Sequence, residues 1–196
     1  MIFVLDVDGV LADFIHGFTR LANDMFGTPV YSTLQQLTWD NFDGLDKKQI
    51  SSVWEVIKKS NFFWSSLPPM ATKNEFQLLN GLAEQNDVYF ATSRPGIRAK
   101  YQTEAWLETN GIWNPTVIVT SDKGETAKVV KADALLDDKA GNVIFTQYHS
   151  PKTVPYIIDR QYNSFDGAVV GSKVVRVKTV LEFLEKAWIN VPLTHV

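Results

Sequence analysis

Two aspartates one residue apart, followed at once by glycine, stand at Asp6, Asp8 and Gly9. Carboxylates crowded in this way repel each other unless a cation joins them or one of them holds a proton. Both solutions suggest chemistry. The same D-x-D-G spacing occurs in surface turns and in calcium loops, but a calcium loop needs further acidic ligands. Ala12 and Phe14 follow here and supply none. Polar groups recur further along, at Thr92-Ser93-Arg94, at Lys123 and at Asp137-Asp138.

Each group lies where an element must end. Ile2 to Leu5 is a short apolar run that enters Asp6, which predicts a strand buried on both faces. Asp87 to Ala91 predicts a second strand ending in Thr92-Ser93-Arg94. Val117 to Val119 predicts a third with Lys123 beyond it, and Ala134 to Leu136 a fourth ending in Asp137-Asp138. Late strands are expected at 156–158 and 174–177. Helical periodicity runs from Phe14 to Phe26 and stops at Gly27-Thr28-Pro29. Asp46 fits the cap of a second helix, and Thr72 with Glu75 a capping box. A short helix is expected around 126–130, and a last one from Thr179 with a capping-box Glu182. Strands alternating with helices predict an α/β fold built on a doubly wound, largely parallel sheet. In such sheets ligands bind at the carboxyl ends of the strands, where these four polar groups fall.

At 196 residues with a net charge of −3, the chain has no basic footprint for duplex nucleic acid. It has no cysteine, which removes disulfides, thiolate metal sites and a cysteine nucleophile and suits a reducing compartment. Asp6 interrupts an apolar start too short for a signal peptide. A cytoplasmic protein without a membrane segment is expected.

The four groups together resemble the haloacid dehalogenase-like superfamily of phosphohydrolases over nearly the whole chain. D-V-D-G-V matches its first motif, Thr92-Ser93 its second, Lys123 its third and L-L-D-D its fourth. D-x-D-G-V-L-A-D-F at the start, N-F-F at 61–63 and T-S after the second strand are similar to the 5′(3′)-deoxyribonucleotidases. The resemblance implies a Rossmann-like catalytic core, residues 1–14 and 67–196, and a small helical cap, residues 15–66. It implies Asp6 as nucleophile, Asp8 as acid and base, Thr92 and Lys123 on the phosphate, and Mg²⁺ as cofactor. The metal ligands implied are the Asp6 carboxylate, the Asp8 carbonyl and the Asp138 carboxylate, with Asp137 beside them. Lys128 competes with Lys123, and sequence does not separate Asp137 from Asp138.

Phe14, Trp39 and Phe63 are the aromatics that the resemblance brings to a nucleobase, although a small cap also needs aromatics for its own core. Ser93 and Arg94 could reach a phosphate or sugar. The nucleotidases lack an arginine there, so Arg94 either meets a second anionic group or pairs with a carboxylate. His16, His149 and His195 have no ligand-like spacing. The expected substrate is a small phosphate ester, foremost a nucleoside monophosphate, with a homodimer left open. The rival readings are a sugar phosphate or a nucleic-acid 3′-phosphate end as substrate, or a binding scaffold without catalysis.

Overall fold

The chain is described by a computed structural model over residues 1–27, 42, 44–163 and 172–190. Its centre is a six-stranded sheet of β1 (Ile2–Asp6), β2 (Asp87–Thr92), β3 (Thr116–Val119), β4 (Ala134–Asp137), β5 (Val154–Ile158) and β6 (Val175–Val177). The order is β3-β2-β1-β4-β5-β6, and every neighbouring pair is parallel. The seven α-helices described are α1 (Phe14–Phe26), α2 (Lys47–Lys59), α3 (Lys73–Ala83), α4 (Ala99–Thr109), α5 (Lys123–Val130), α6 (Ala140–His149) and α7 (Val180–Asn190).

The period of two along a strand divides the core between the sheet's two faces. Phe3 and Leu5 of β1, Leu136 of β4 and Tyr156 and Ile158 of β5 join the larger cluster, with Phe76, Trp106 and Phe183 from α3, α4 and α7. Val4, Leu135 and Ile157 turn to the other face and meet Ala127 of α5 and Ala140 and Val143 of α6. Continuing that alternation, Asp6 follows Val4 and Asp137 follows Leu135, toward the face covered by α5 and α6. Chain order reverses between β1 and β4, which is the crevice where doubly wound sheets take ligands.

The insertion after β1 leaves and returns along one line. Asp13 N donates to Pro68 O at 2.9 Å, and Met70 N donates to Leu11 O at 2.7 Å. Helix α1 is capped by Asp13, whose side chain accepts from His16 N, and ends at Gly27 in the left-handed conformation. Helix α2 opens on a reciprocal capping box between Asp46 and Gln49, and α3 on one between Thr72 and Glu75.

Two sequence expectations change, and one helix was not foreseen. Helix α5 begins at Lys123, not near Thr126, because the Asp122 side chain caps it by accepting from Glu125 N. Glu182 does not close a capping box on Thr179: its carboxylate accepts from Lys178 N, while Thr179 Oγ1 accepts from Glu182 N. Helix α6, which sequence periodicity did not reveal, covers the sheet between β4 and β5.

Candidate active site

The turn after β1 is tight. Leu11 and Ala12 both donate to Val7 O at 2.8 Å, and Gly9 takes φ +79°. A Cβ on Gly9 would stand 2.2 Å from Asp138 Oδ2 and 2.5 Å from Tyr162 Oη, so only glycine lets this turn approach β4 so closely.

Asp6, Asp137 and Asp138 bring carboxylate oxygens within 4.8 Å of one another, all buried. Lys123, 3 % exposed, reaches Asp6 Oδ2 and lies 3.0 Å from Asp137 Oδ2. The first turn of α5 thus delivers a cation onto the ends of β1 and β4. Burial opposes the Lys123 charge, yet Asp137 and Asp6 outweigh it and hold the ammonium well above its ordinary range. Burial pushes the Asp6 carboxyl up to about 6; Lys123 opposes the rise, while Asp137 and Asp8 add to it. Burial also raises Asp138, helped by Asp6 and Asp137. Three acids around one lysine leave an excess of negative charge in a dry site, which a cation would relieve.

Asp137 and Asp138 play different parts. Asp137 Oδ1 accepts from Lys139 N and Asn142 Nδ2, and its Oδ2 accepts from Asn142 Nδ2 and pairs with Lys123. Asp138 Oδ2 accepts from the Tyr162 hydroxyl, whereas its Oδ1 is buried without a hydrogen-bond partner. Asp138 therefore has an oxygen to offer that Asp137 lacks. The donor set is all oxygen, so the residues present fit a hard divalent cation.

Asp8, beside the triad and on one cavity with Asp6, is held by other partners. Thr92 Oγ1 donates to its Oδ2 at 3.1 Å, and Arg94 grips both oxygens, with Nε 2.9 Å from Oδ2 and Nη2 2.8 Å from Oδ1. Of the alternatives open for Arg94, this structure holds the carboxylate pairing. Ser93 Oγ donates to Thr120 O. Lys128 is exposed on α5 and pairs with Glu125 at 3.3 Å, away from the acids.

Asp6, Asp8, Phe14, Trp54, Trp64, Ser93, Arg94, Pro95, Lys123 and Lys139 line one cavity of about 60 Å³. The space suits a phosphate-sized group next to the acids. The aromatic expectations divide here. Phe14 lines the cavity but is 2 % exposed, with Trp54 and Trp64 nearly parallel to its ring at 5.3 and 5.7 Å. Phe18 and Phe63 also pack against it, so the Phe14 ring is used in packing. Phe63 is not among the lining residues; it packs edge-on to Trp64 at 4.9 Å. Trp39 lies outside the described residues. Among the described aromatics that line the cavity, Trp54 on α2 is the half-buried one.

Sequence reasoning missed Trp54 as a lining residue. It also missed the segment after β5. There Arg160 donates to Gly9 O at 2.6 Å and to Val10 O at 3.2 Å, and Asn163 Nδ2 donates to Asp138 O at 2.7 Å. Three polar residues in the short stretch Arg160–Asn163, directly past a buried strand, were the available signal.

A family model described as 5′ nucleotidase, deoxy (pyrimidine), cytosolic type C protein matches residues 1–165. Over 151 residues the chain is 30 % identical to the mitochondrial 5′(3′)-deoxyribonucleotidase of Mus musculus, an alignment covering 69 % of this chain and 63 % of that protein. Over 150 residues it is 31 % identical to the Homo sapiens protein, covering 69 % and 61 %. The chain thus spans about three fifths of the length of these curated relatives. Among solved structures, a candidate haloacid dehalogenase-like hydrolase from Burkholderia xenovorans LB400 superposes with TM-score 0.62 at 15 % identity, over 96 % of this chain and 97 % of that one. A hydrolase from Pseudomonas syringae gives 0.59 at 14 %, over 97 % and 99 %. At such identities the likeness carries the fold alone. No helix among the described residues is long and apolar enough to cross a membrane.

Proposed function

This chain belongs to the deoxy (pyrimidine), cytosolic type C family of 5′ nucleotidases, and we propose that it is a Mg²⁺-dependent phosphomonoesterase acting on nucleoside monophosphates. The observation that carries this reading is the convergence of Asp6, Lys123, Asp137 and Asp138 at the β1–β4 crevice, with Asp8 beside them. Phe14, Trp54 and Trp64 line the same cavity.

In this reading Asp6 is the nucleophile. Its carboxylate oxygen forms a bond to phosphorus as the ester oxygen departs, which splits one difficult hydrolysis into two easier steps. Asp8 gives its proton to the departing oxygen, then takes one from the water that attacks the acyl phosphate. That second step returns the Asp6 carboxylate and releases inorganic phosphate. Lys123, held by Asp6 and Asp137, faces the charge on the phosphoryl oxygens. Thr92, expected on the phosphate, instead donates its hydroxyl to Asp8 in this structure and keeps that carboxylate in place. The Asp6 and Asp138 carboxylates and the Asp8 carbonyl would hold Mg²⁺, with Asp137 orienting Lys123. When bound, the metal ion neutralises the acids and the phosphate dianion. The residues 15–66 act as a cap, and Trp54 offers the base its ring.

The test is phosphate release from ribo- and deoxyribonucleoside monophosphates and from sugar phosphates, with Mg²⁺ and with EDTA. Metal-dependent release concentrated on nucleotides is expected. Asp6→Asn should abolish it, by at least about a thousandfold, while the melting curve keeps one cooperative transition. Release from sugar phosphates alone removes the nucleotide. Full activity in Asp6→Asn removes the nucleophile.

A further inference from the structure

The geometry points to Arg94 as a positioning residue that sets the orientation of Asp8 from the cap side, an inference resting on the hydrolase reading above. Arg94 is 2 % exposed and stands two residues beyond Thr92, past the end of β2. Its Nε and Nη2 close on the two Asp8 oxygens as a fork, a geometry that fixes a carboxylate in direction as well as in place.

The rest of the guanidinium is held just as fully. Nη1 donates to Thr103 Oγ1 at 3.0 Å, and that hydroxyl donates onward to Ala99 O at 2.7 Å. Nη1 also lies 3.5 Å from Trp64 O. The guanidinium carbon is 5.0 Å from the Trp64 ring centroid and 6.0 Å from that of Trp106.

Trp64 is itself fastened to the core. Its Nε1 donates to Pro95 O and its backbone N to Gln102 Oε1, both at 3.0 Å. Gln102 Nε2 donates in turn to Ser60 O at 3.0 Å. A Cβ on Gly96, which has φ +108°, would be 2.7 Å from Lys58 O, so the end of α2 rests directly on this loop. The strand-end loop, α4 and the returning segment of the insertion therefore meet at Arg94.

One consequence follows for the two halves of the reaction. In this arrangement both Asp8 oxygens accept hydrogen bonds, Oδ1 from Arg94 and Oδ2 from Arg94 and Thr92. An oxygen that carries a proton for the leaving group keeps a second acceptor position, so the fork can hold Asp8 in direction in either state. Arg94 thus holds Asp8 in direction as an acceptor toward incoming water and as a donor when Asp8 protonates an alkoxide. A phenolate that departs without a proton does not need the second state.

The experiment compares single-turnover formation of the phosphoenzyme from p-nitrophenyl phosphate and from a nucleoside monophosphate. It uses the wild-type chain, Arg94→Lys and Arg94→Gln, each checked by thermal melting. Lysine keeps the charge without the fork. It serves as the measured variant if Arg94→Gln does not fold. We expect Arg94→Lys to lower the rate with the nucleotide by about a hundredfold and with p-nitrophenyl phosphate by less than about threefold, the asymmetry that lost orientation of a proton donor produces. In an Asp8→Asn background the Arg94→Lys effect should disappear, since both act through one group. Equal losses on the two substrates, or a full additional loss in Asp8→Asn, overturn the inference. A wild-type chain that releases phosphate from neither substrate overturns the hydrolase reading and this inference with it.

Discussion

Gly9 and Asp138, far apart in sequence, meet so closely that a methyl group on the glycine would lie 2.2 Å from the carboxylate Oδ2. The contact joins the turn after β1 to the end of β4, and the Tyr162 hydroxyl donates to the same oxygen. Gly9→Ala should strain a φ of +79° by about 1–2 kcal/mol. It should also push Asp138 from its place. We expect Mg²⁺ affinity, measured by calorimetric titration, to fall about 10- to 100-fold. Wild-type affinity in this variant would mean that Asp138 is not where the metal binds.

Lys123 and Lys128 stand five residues apart on α5 with opposite surroundings. Lys123→Met leaves Asp6 and Asp137 buried without their cation. Its expected cost is about 3 kcal/mol in urea unfolding of the metal-free protein, together with loss of phosphate release. Lys128→Met removes an exposed pair with Glu125 and should stay within about 0.5 kcal/mol of wild type, with activity kept. Comparable costs for the two would contradict the burial difference.

Trp54 tests the aromatic lining. Trp54→Leu keeps apolar packing on α2 and removes the ring surface. If a base stacks there, KM for nucleoside monophosphates should rise about tenfold, within the range for base–aromatic contacts. KM for a sugar phosphate should hold. Parallel changes for both substrates would reduce Trp54 to cap packing.

Glu75 joins two helix starts. Its Oε2 accepts from Thr72 N and Oγ1 at the head of α3, and its Oε1 accepts from Leu181 N at the head of α7. Burial pushes this carboxyl up, but the Thr72 and Leu181 donors outweigh it and hold the group below its ordinary value of 4.5. A carboxyl depressed on folding contributes stability above its unfolded value, and that contribution fades as pH falls through and below 4.5. Glu75→Gln should therefore cost about 1 kcal/mol at neutral pH, with the gap to wild type narrowing below pH 4.5 in denaturant titrations. A gap that stays constant with pH would show that charge plays no part.

What the sequence determined by itself was the local part of this protein. Apolar runs ending in Asp6, Thr92 and Asp137 were legible as buried parallel strands, since a strand covered on both faces must be apolar throughout. Capping residues such as Asp46, Thr72 and Gly27 marked helix ends, because the orphan amides and carbonyls there need particular side chains or a left-handed turn. The alternation of these elements was enough for the fold class and for the edge of the sheet where chemistry would lie.

Tertiary structure decided which groups meet. Asp137 and Asp138 are equivalent in sequence; only the packing of Lys139, Asn142 and Lys123 on one, and of Tyr162 on the other, distinguishes them. Arg94 could have met a second anionic group or a carboxylate, and burial between Trp64, Trp106 and Asp8 chose the carboxylate. Phe14 was expected at a base and neighbouring rings cover it, while the half-buried Trp54, which no motif marked, lines the cavity beside it. Tyr162 and Arg160 carried no periodicity or motif because they hold backbone and carboxylate atoms more than twenty residues away. Contacts of that kind come from the three-dimensional course of the chain, which spacing along it does not encode.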